Sequence, residues 1–161
     1  KDILSEKGAW DAMFWMGGLV ALATALAKSG FIAWIAKLIG TAVAAANMGW
    51  IASFVLISLI YIYSHYCFAS VTARISAMYV AFVAVAAACG VPAMLVAITF
   101  GCFANLPISL THYGNGCGPV YFGAGYVSQG EWWRNGFIIT TINVVIWLTI
   151  GMTWWKFIGL Y

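Results

Sequence analysis

Residues 64–74 read Ser-His-Tyr-Cys-Phe-Ala-Ser-Val-Thr-Ala-Arg, and they separate a pair of apolar arms, Trp50 to Tyr63 and Ile75 to Ala88. As one continuous helix, 50–88 would be about 58 Å long. That is about twice the 30 Å hydrocarbon core of a bilayer, so the chain must break between the arms. Each arm read alone is about 22 Å long, short for a span. Two short apolar arms around a polar tip predict a re-entrant hairpin over 50–89 with its tip at 64–74. Such a tip survives at membrane depth only where protein buries it or where it lines a water-filled cavity.

The rest of the chain supports a membrane setting. Of 161 residues, 65% are hydrophobic and 7% charged, and the mean hydropathy is +0.98. Soluble domains carry about 25% charged residues, which excludes a soluble enzyme, and the aromatic and aliphatic content excludes disorder. Between Lys37 and Glu131, Arg74 is the only Asp, Glu, Lys or Arg. A charge at the bilayer centre costs about 2.5–3.5 kcal/mol on insertion scales, so its scarcity is what lipid demands. The expected fold class is an all-α, multi-pass integral membrane protein. The net charge of +3 is spread over both ends without a basic run, so no nucleic-acid partner is expected. Cys67, Cys89, Cys102 and Cys117 form no CxxC pair. They read as small packing residues, and neither a metal nor a cofactor is expected. The first residue is Lys1 and no signal-peptide pattern is visible; a piece of a larger membrane protein is the expectation.

Four segments follow from hydropathy and breakers. Residues 1–49 hold an apolar stretch from Trp10 to Ala27, with Asp11 at its start, and a short segment from Phe31 to Ala46. Asn47-Met-Gly49 then breaks the chain. Residues 50–89 are the hairpin. In 90–128, Gly90-Val-Pro92 turns into a short helix from Ala93 to Leu106, which dissolves into a loop over 107–119. Glycine stands at 114, 116, 118, 123 and 125, and each costs about 1 kcal/mol inside a helix. Half-helix, unwound glycine loop and half-helix make a discontinuous membrane helix. In 129–161, Gln129 to Arg134 reads as an interfacial return and Gly136 to Trp155 as the last span. Trp133 and Trp154 would stand about 32 Å apart along a helix, matching the two aromatic belts.

Paired polar breaks inside apolar segments point to a substrate site near the midplane of a secondary transporter. Exposed amides and helix N-termini suit an anion. Ser70, Thr72 and Thr111 offer hydroxyls, and His112 and Asn115 offer further hydrogen bonds. Gly114 and Gly116 offer open backbone, and Arg74 offers a fixed charge. Plainer roles exist: Ser70 and Thr72 bonding to a preceding carbonyl, His65 packed between tyrosines, Arg74 snorkelling to water. Catalysis is not supported. The apolar region has no paired carboxylates, and neither GxSxG nor a phosphate loop ending in GK[ST] occurs.

Three strings carry a family resemblance: SHYCFASVTARISAMYVAF (64–82), LTHYGNGCGPVYFGAGYVSQGEWW (110–133) and WWKFIGLY (154–161). Together they resemble the divalent anion:sodium symporter family. They are most similar to its exchanger branch of 2-oxoglutarate/malate translocators and citrate/succinate antiporters. The resemblance implies a carrier of two inverted repeats, of which this chain would be the latter portion of the second. It also implies an elevator mechanism, a homodimer, di- or tricarboxylate substrates, and a bacterial inner membrane or plastid inner envelope. The family's Ser-Asn-Thr hairpin signature falls on Ser70, Val71 and Thr72, so its Asn is absent here. The Thr-Pro-Pro loop of sodium-coupled members is replaced by Thr111-His-Tyr-Gly-Asn-Gly116. The expectation is sodium-independent exchange of C4–C6 carboxylates, with Arg74 and helix ends compensating the anion and His112 adding charge if protonated. The alternatives are a sodium-coupled symporter and, in a different class, a non-transporting membrane subunit or an intramembrane hydrolase.

Overall fold

The computed structural model describes residues 28–161 together with positions 10, 14, 17, 18, 21, 22 and 24–26. The polar start and half of the apolar stretch expected from Trp10 to Ala27 lie outside the described residues. The ordered elements among the described residues are helices. Helix α1 (Phe31–Ala45) follows Gly30, whose φ of 77° suits only glycine well, and ends before Asn47 at φ 49°. Helix α2 (Trp50–Tyr63) tightens into a 3-10 turn, Ser64–Cys67. Helix α3 (Val71–Ala88) leads through Gly90 to α4 (Ala93–Cys102) and a 3-10 turn, Leu106–Ser109. Helix α5 (Gly118–Gly123) is six residues long. Helix α6 runs from Gln129 to Phe157, with a π-helical stretch at Trp147–Gly151.

Among the described residues, three stretches are long and apolar enough to cross a membrane: Trp50–Cys67, Val71–Ala88 and Gln129–Phe157. The break between α2 and α3 is narrower than the sequence suggests. It occupies residues 68–70 instead of 64–74, because polar side chains on both flanks support helix. Ser64 Oγ donates to the Tyr61 carbonyl (2.7 Å), letting the last turn tighten instead of unravel. Ser70 is extended (φ −153°, ψ 134°) and its Oγ accepts from the Ala73 amide at 3.4 Å. It is therefore the N-cap of α3. Each arm grows to 18 residues, about 27 Å, so arm length no longer separates a re-entrant hairpin from two full spans.

The segment from Gln129 to Arg134, expected as an interfacial return, is helical and forms the first turns of α6. Ser128 Oγ accepts from the Glu131 amide (3.4 Å), and Glu131 Oε2 accepts from the Ser128 amide (3.0 Å). This reciprocal capping box satisfies the first orphan donors of the helix. At Gly90 (φ 82°) α3 ends as a Schellman turn, with Val91 N–H donating to Ala86 and Gly90 N–H to Ala87. The chain is thereby folded back so that α4 packs along α2 and α3.

The core lies between α2, α3 and α4, where Phe54, Ile57, Tyr61, Ile62, Phe82, Leu95, Val96 and Phe100 are buried. The Tyr61 and Phe100 rings stack with centroids 4.5 Å apart. Helix α1 covers α3, with Gly40 against Val85. Helix α6 lies over the Leu106–Ser109 turn so closely that a Cβ on Gly136 would strike the Ser109 carbonyl. Outward faces keep large apolar side chains such as Val80, Met94, Ile139 and Ile142, as lipid or further membrane helices require.

Candidate functional site

The two polar breaks meet. The tip between α2 and α3 lies against the loop between the Leu106–Ser109 turn and α5. Tyr113 Oη donates to the Tyr66 carbonyl at 2.9 Å and ties loop to tip. Gly114 is buried, and a Cβ there would strike His65 Nε2 and come within 2.9 Å of Thr111 Oγ1. Glycine is required at this point by close approach, since its backbone is not left-handed.

Ser70 is half-buried and partly engaged in capping α3, while Thr72, in the first turn of that helix, is exposed. Neither Val71 nor Thr72 has an intrahelical acceptor for its amide. In the loop, Thr111 is fully buried and its Oγ1 has no hydrogen-bond partner. His112 is half-buried. Its ring stacks on Phe122 (4.3 Å between centroids), and its Nδ1 accepts the Trp133 indole N–H at 3.3 Å. Asn115 Oδ1 accepts from the Cys117 (2.8 Å) and Gly118 (2.7 Å) amides, so it shapes the loop and starts α5. Gly116 is exposed with open space around it.

Arg74 takes an arrangement the sequence does not suggest. It is wholly buried, one turn into α3. Its Nη1 donates to the Tyr61 carbonyl (2.9 Å), and its Nη2 donates to the Phe103 (3.1 Å) and Ala104 (2.8 Å) carbonyls. Its Cζ lies 4.6 Å from the centre of the Tyr61 ring. The side chain therefore neither snorkels nor points at the loop. It joins the end of α2 to the chain leaving α4, and its charge stays behind the tip, partly offset by three carbonyl dipoles.

Thr111, His112, Gly114 and Asn115 are thus gathered on one loop against the tip. Ser70 and Thr72 head α3, Gly116 is at the loop's open side, and Arg74 lies beneath. Sequence reasoning passed over three participants. His65 is fully buried with neither ring nitrogen partnered, although its flanking tyrosines read as a packing context. Tyr113 reads as a generic aromatic and Trp133 as an aromatic-belt residue, and only their partners reveal their place at the site. Cys67 and Cys117, expected to pack, are exposed on the tip and loop, while Cys89 and Cys102 are half-buried.

Residues 1–161 match the family model described as the sodium:sulfate symporter transmembrane region. The chain is 45% identical over its whole length to dicarboxylate transporter 1, chloroplastic, of Spinacia oleracea, covering 28% of that protein. It is 46% identical over 99% of its length to the putative malate transporter YflS of Bacillus subtilis, covering 33%. It is 35% identical over 97% of its length to the inner membrane protein YbhI of Escherichia coli, covering 32%. The chain therefore spans about a third or less of these relatives. The expected carrier family is confirmed at this level: the chain is a multi-pass membrane segment belonging to the sodium:sulfate symporter transmembrane-region family, whose members are transporters and not enzymes.

Proposed function

We propose that this chain is the C-terminal part of a carrier that exchanges di- or tricarboxylates of the 2-oxoglutarate/malate or citrate/succinate type across a membrane. The observation that carries the reading is the joint between the two polar breaks. Tip and glycine loop are held together by Tyr113 and Gly114, and they bring donors and a helix N-terminus to one place in an otherwise apolar body. Similarity over nearly all of this chain to parts of proteins named dicarboxylate and malate transporters supports the substrate class. Substrate contacts are assigned to Ser70, Thr72, Thr111, His112, Gly114, Asn115 and Gly116. Arg74 acts from behind, holding the tip and supplying charge at short range in a low-dielectric setting. Segment 50–89 acts as a hairpin, 90–128 as a discontinuous helix and 129–161 as the last span. The first repeat lies in the remaining polypeptide, and the whole works as an elevator-type homodimer.

Counterflow tests the reading. Full-length carrier in liposomes preloaded with malate should take up labelled 2-oxoglutarate, and unloaded liposomes should take up little. Equal uptake into both would replace exchange by net transport. No uptake of any C4–C6 carboxylate, by carrier shown to be folded, would remove the substrate class.

A further inference from the structure

Trp133 stands in the second turn of α6, and its indole N–H donates to His112 Nδ1 at 3.3 Å. An indole nitrogen donates and never accepts. The accepting Nδ1 therefore carries a lone pair, and the proton of the neutral ring sits on Nε2. The ring is also fixed in plane. Phe122 stacks on it at 4.3 Å and 27°, and Tyr113 meets it edge-on at 5.1 Å and 78°. Trp133 is itself seated against Tyr66 (5.5 Å) and Tyr113 (6.3 Å), and Tyr113 is bonded to the Tyr66 carbonyl. Tip, glycine loop and last helix thus converge on one imidazole and leave it one N–H to offer.

We propose that Trp133 is a positioning residue of the substrate site: it sets the tautomer of His112 so that Nε2–H donates to a substrate carboxylate. This rests on the reading of His112 as a substrate contact. An ionised carboxylate only accepts hydrogen bonds, so a ring presenting the Nε2 lone pair would repel it. Trp133 excludes that form. Phenylalanine could not donate to Nδ1. Tyrosine could donate or accept, and so would leave the tautomer open.

The test uses full-length carrier with labelled malate counterflow, comparing Trp133→Phe, His112→Ala and the double variant. Trp133→Phe keeps a ring against Tyr66 and Tyr113. It should raise KM about tenfold, as expected for a weakened hydrogen bond to a charged group, with the maximal rate little changed. The double variant should be no worse than His112→Ala, because Trp133 acts through His112. Effects that multiply in the double variant would overturn the proposal and make Trp133 an ordinary anchor. An unchanged KM in His112→Ala would instead overturn the substrate contact itself. A second readout does not depend on transport. Imidazole 15N spectra of histidine-labelled carrier in nanodiscs, with His112 assigned by its loss in His112→Ala, should show Nε2 protonated in the wild type. They should show mixed tautomers in Trp133→Phe. A wild-type ring protonated on Nδ1 overturns the proposal even where the phenylalanine variant does not fold.

Discussion

At the scale of single residues, the two loop glycines make opposite demands. A methyl group on Gly114 would meet His65 and Thr111, whereas one on Gly116 meets nothing within 4 Å. Gly114→Ala should lower the stability of the folded carrier by about 1–3 kcal/mol, the usual cost of overpacking, and reduce exchange. Gly116→Ala should leave stability nearly unchanged. Thermal unfolding of the purified full-length variants checks this, and equal melting temperatures would dissolve the distinction. Arg74 makes a second prediction. The Tyr61 carbonyl keeps the Ser64 hydroxyl as a donor, but the buried Phe103 and Ala104 carbonyls lose the guanidinium, and a buried acceptor left unpaired costs about 1–3 kcal/mol. Arg74→Gln should therefore melt several degrees lower, and its main defect should be the amount of folded protein. A variant that is fully stable but has a raised KM would return Arg74 to direct substrate contact. The sequence shows Arg74 as a solitary charge, and a solitary charge in apolar sequence reads as functional. Its three carbonyl partners come from Tyr61, Phe103 and Ala104. Nothing in their side chains betrays that role, so this staple was illegible before the fold was known.

At the scale of elements, the N-terminus of α3 separates two hydroxyls the sequence treats alike. Ser70 caps the helix, and losing an N-cap costs about 0.5–2 kcal/mol. Thr72 is exposed and free of that duty. Ser70→Ala should thus lower both stability and apparent affinity, while Thr72→Ala should raise KM at unchanged melting temperature. Should Thr72→Ala transport with wild-type KM, the threonine leaves the site. The break between the arms was legible, because no bilayer accommodates 39 residues of straight helix. Its edges were not, because Ser64 and Ser70 suit a loop and a helix end equally well, and only their bonds decide. The start of α6 could have been found. Ser128-Gln-Gly-Glu131 has the spacing of a capping box, but the adjacent Trp-Trp-Arg drew the reading toward an interface. The loop also predicts an accessibility pattern. Cys67 is exposed on the tip and Cys117 on the loop. In carriers retaining only one of them, malate should slow modification by a small methanethiosulfonate. Equal rates with and without malate would place the substrate elsewhere.

At the scale of the molecule, the question is what balances an anion in an apolar body, and the answer predicts the ion requirement. A dicarboxylate brings about two negative charges into low dielectric and needs compensation. A bound sodium ion would want several oxygen ligands, as hard cations do. At the tip the middle position is Val71, which has no side-chain oxygen, and Ser70 Oγ is engaged by the Ala73 amide. What the tip does hold is permanent: the N-terminal amides of an 18-residue helix, which favour negative charge, and the buried guanidinium of Arg74 one turn behind them. Arginine does not lose its proton in such a setting. An empty site would therefore stay positive and resist crossing the membrane. A loaded site would be near neutral and cross, so on the proposed reading each substrate leaving would be replaced by another entering. Full-length carrier in malate-loaded liposomes should keep its labelled 2-oxoglutarate uptake when choline replaces all sodium, within about twofold of the rate in sodium. A loss of more than tenfold in choline, restored by sodium with a saturable dependence, would mean that the compensating cation is bound and not built in. The oxygen ligands would then have to come from the polypeptide outside this chain.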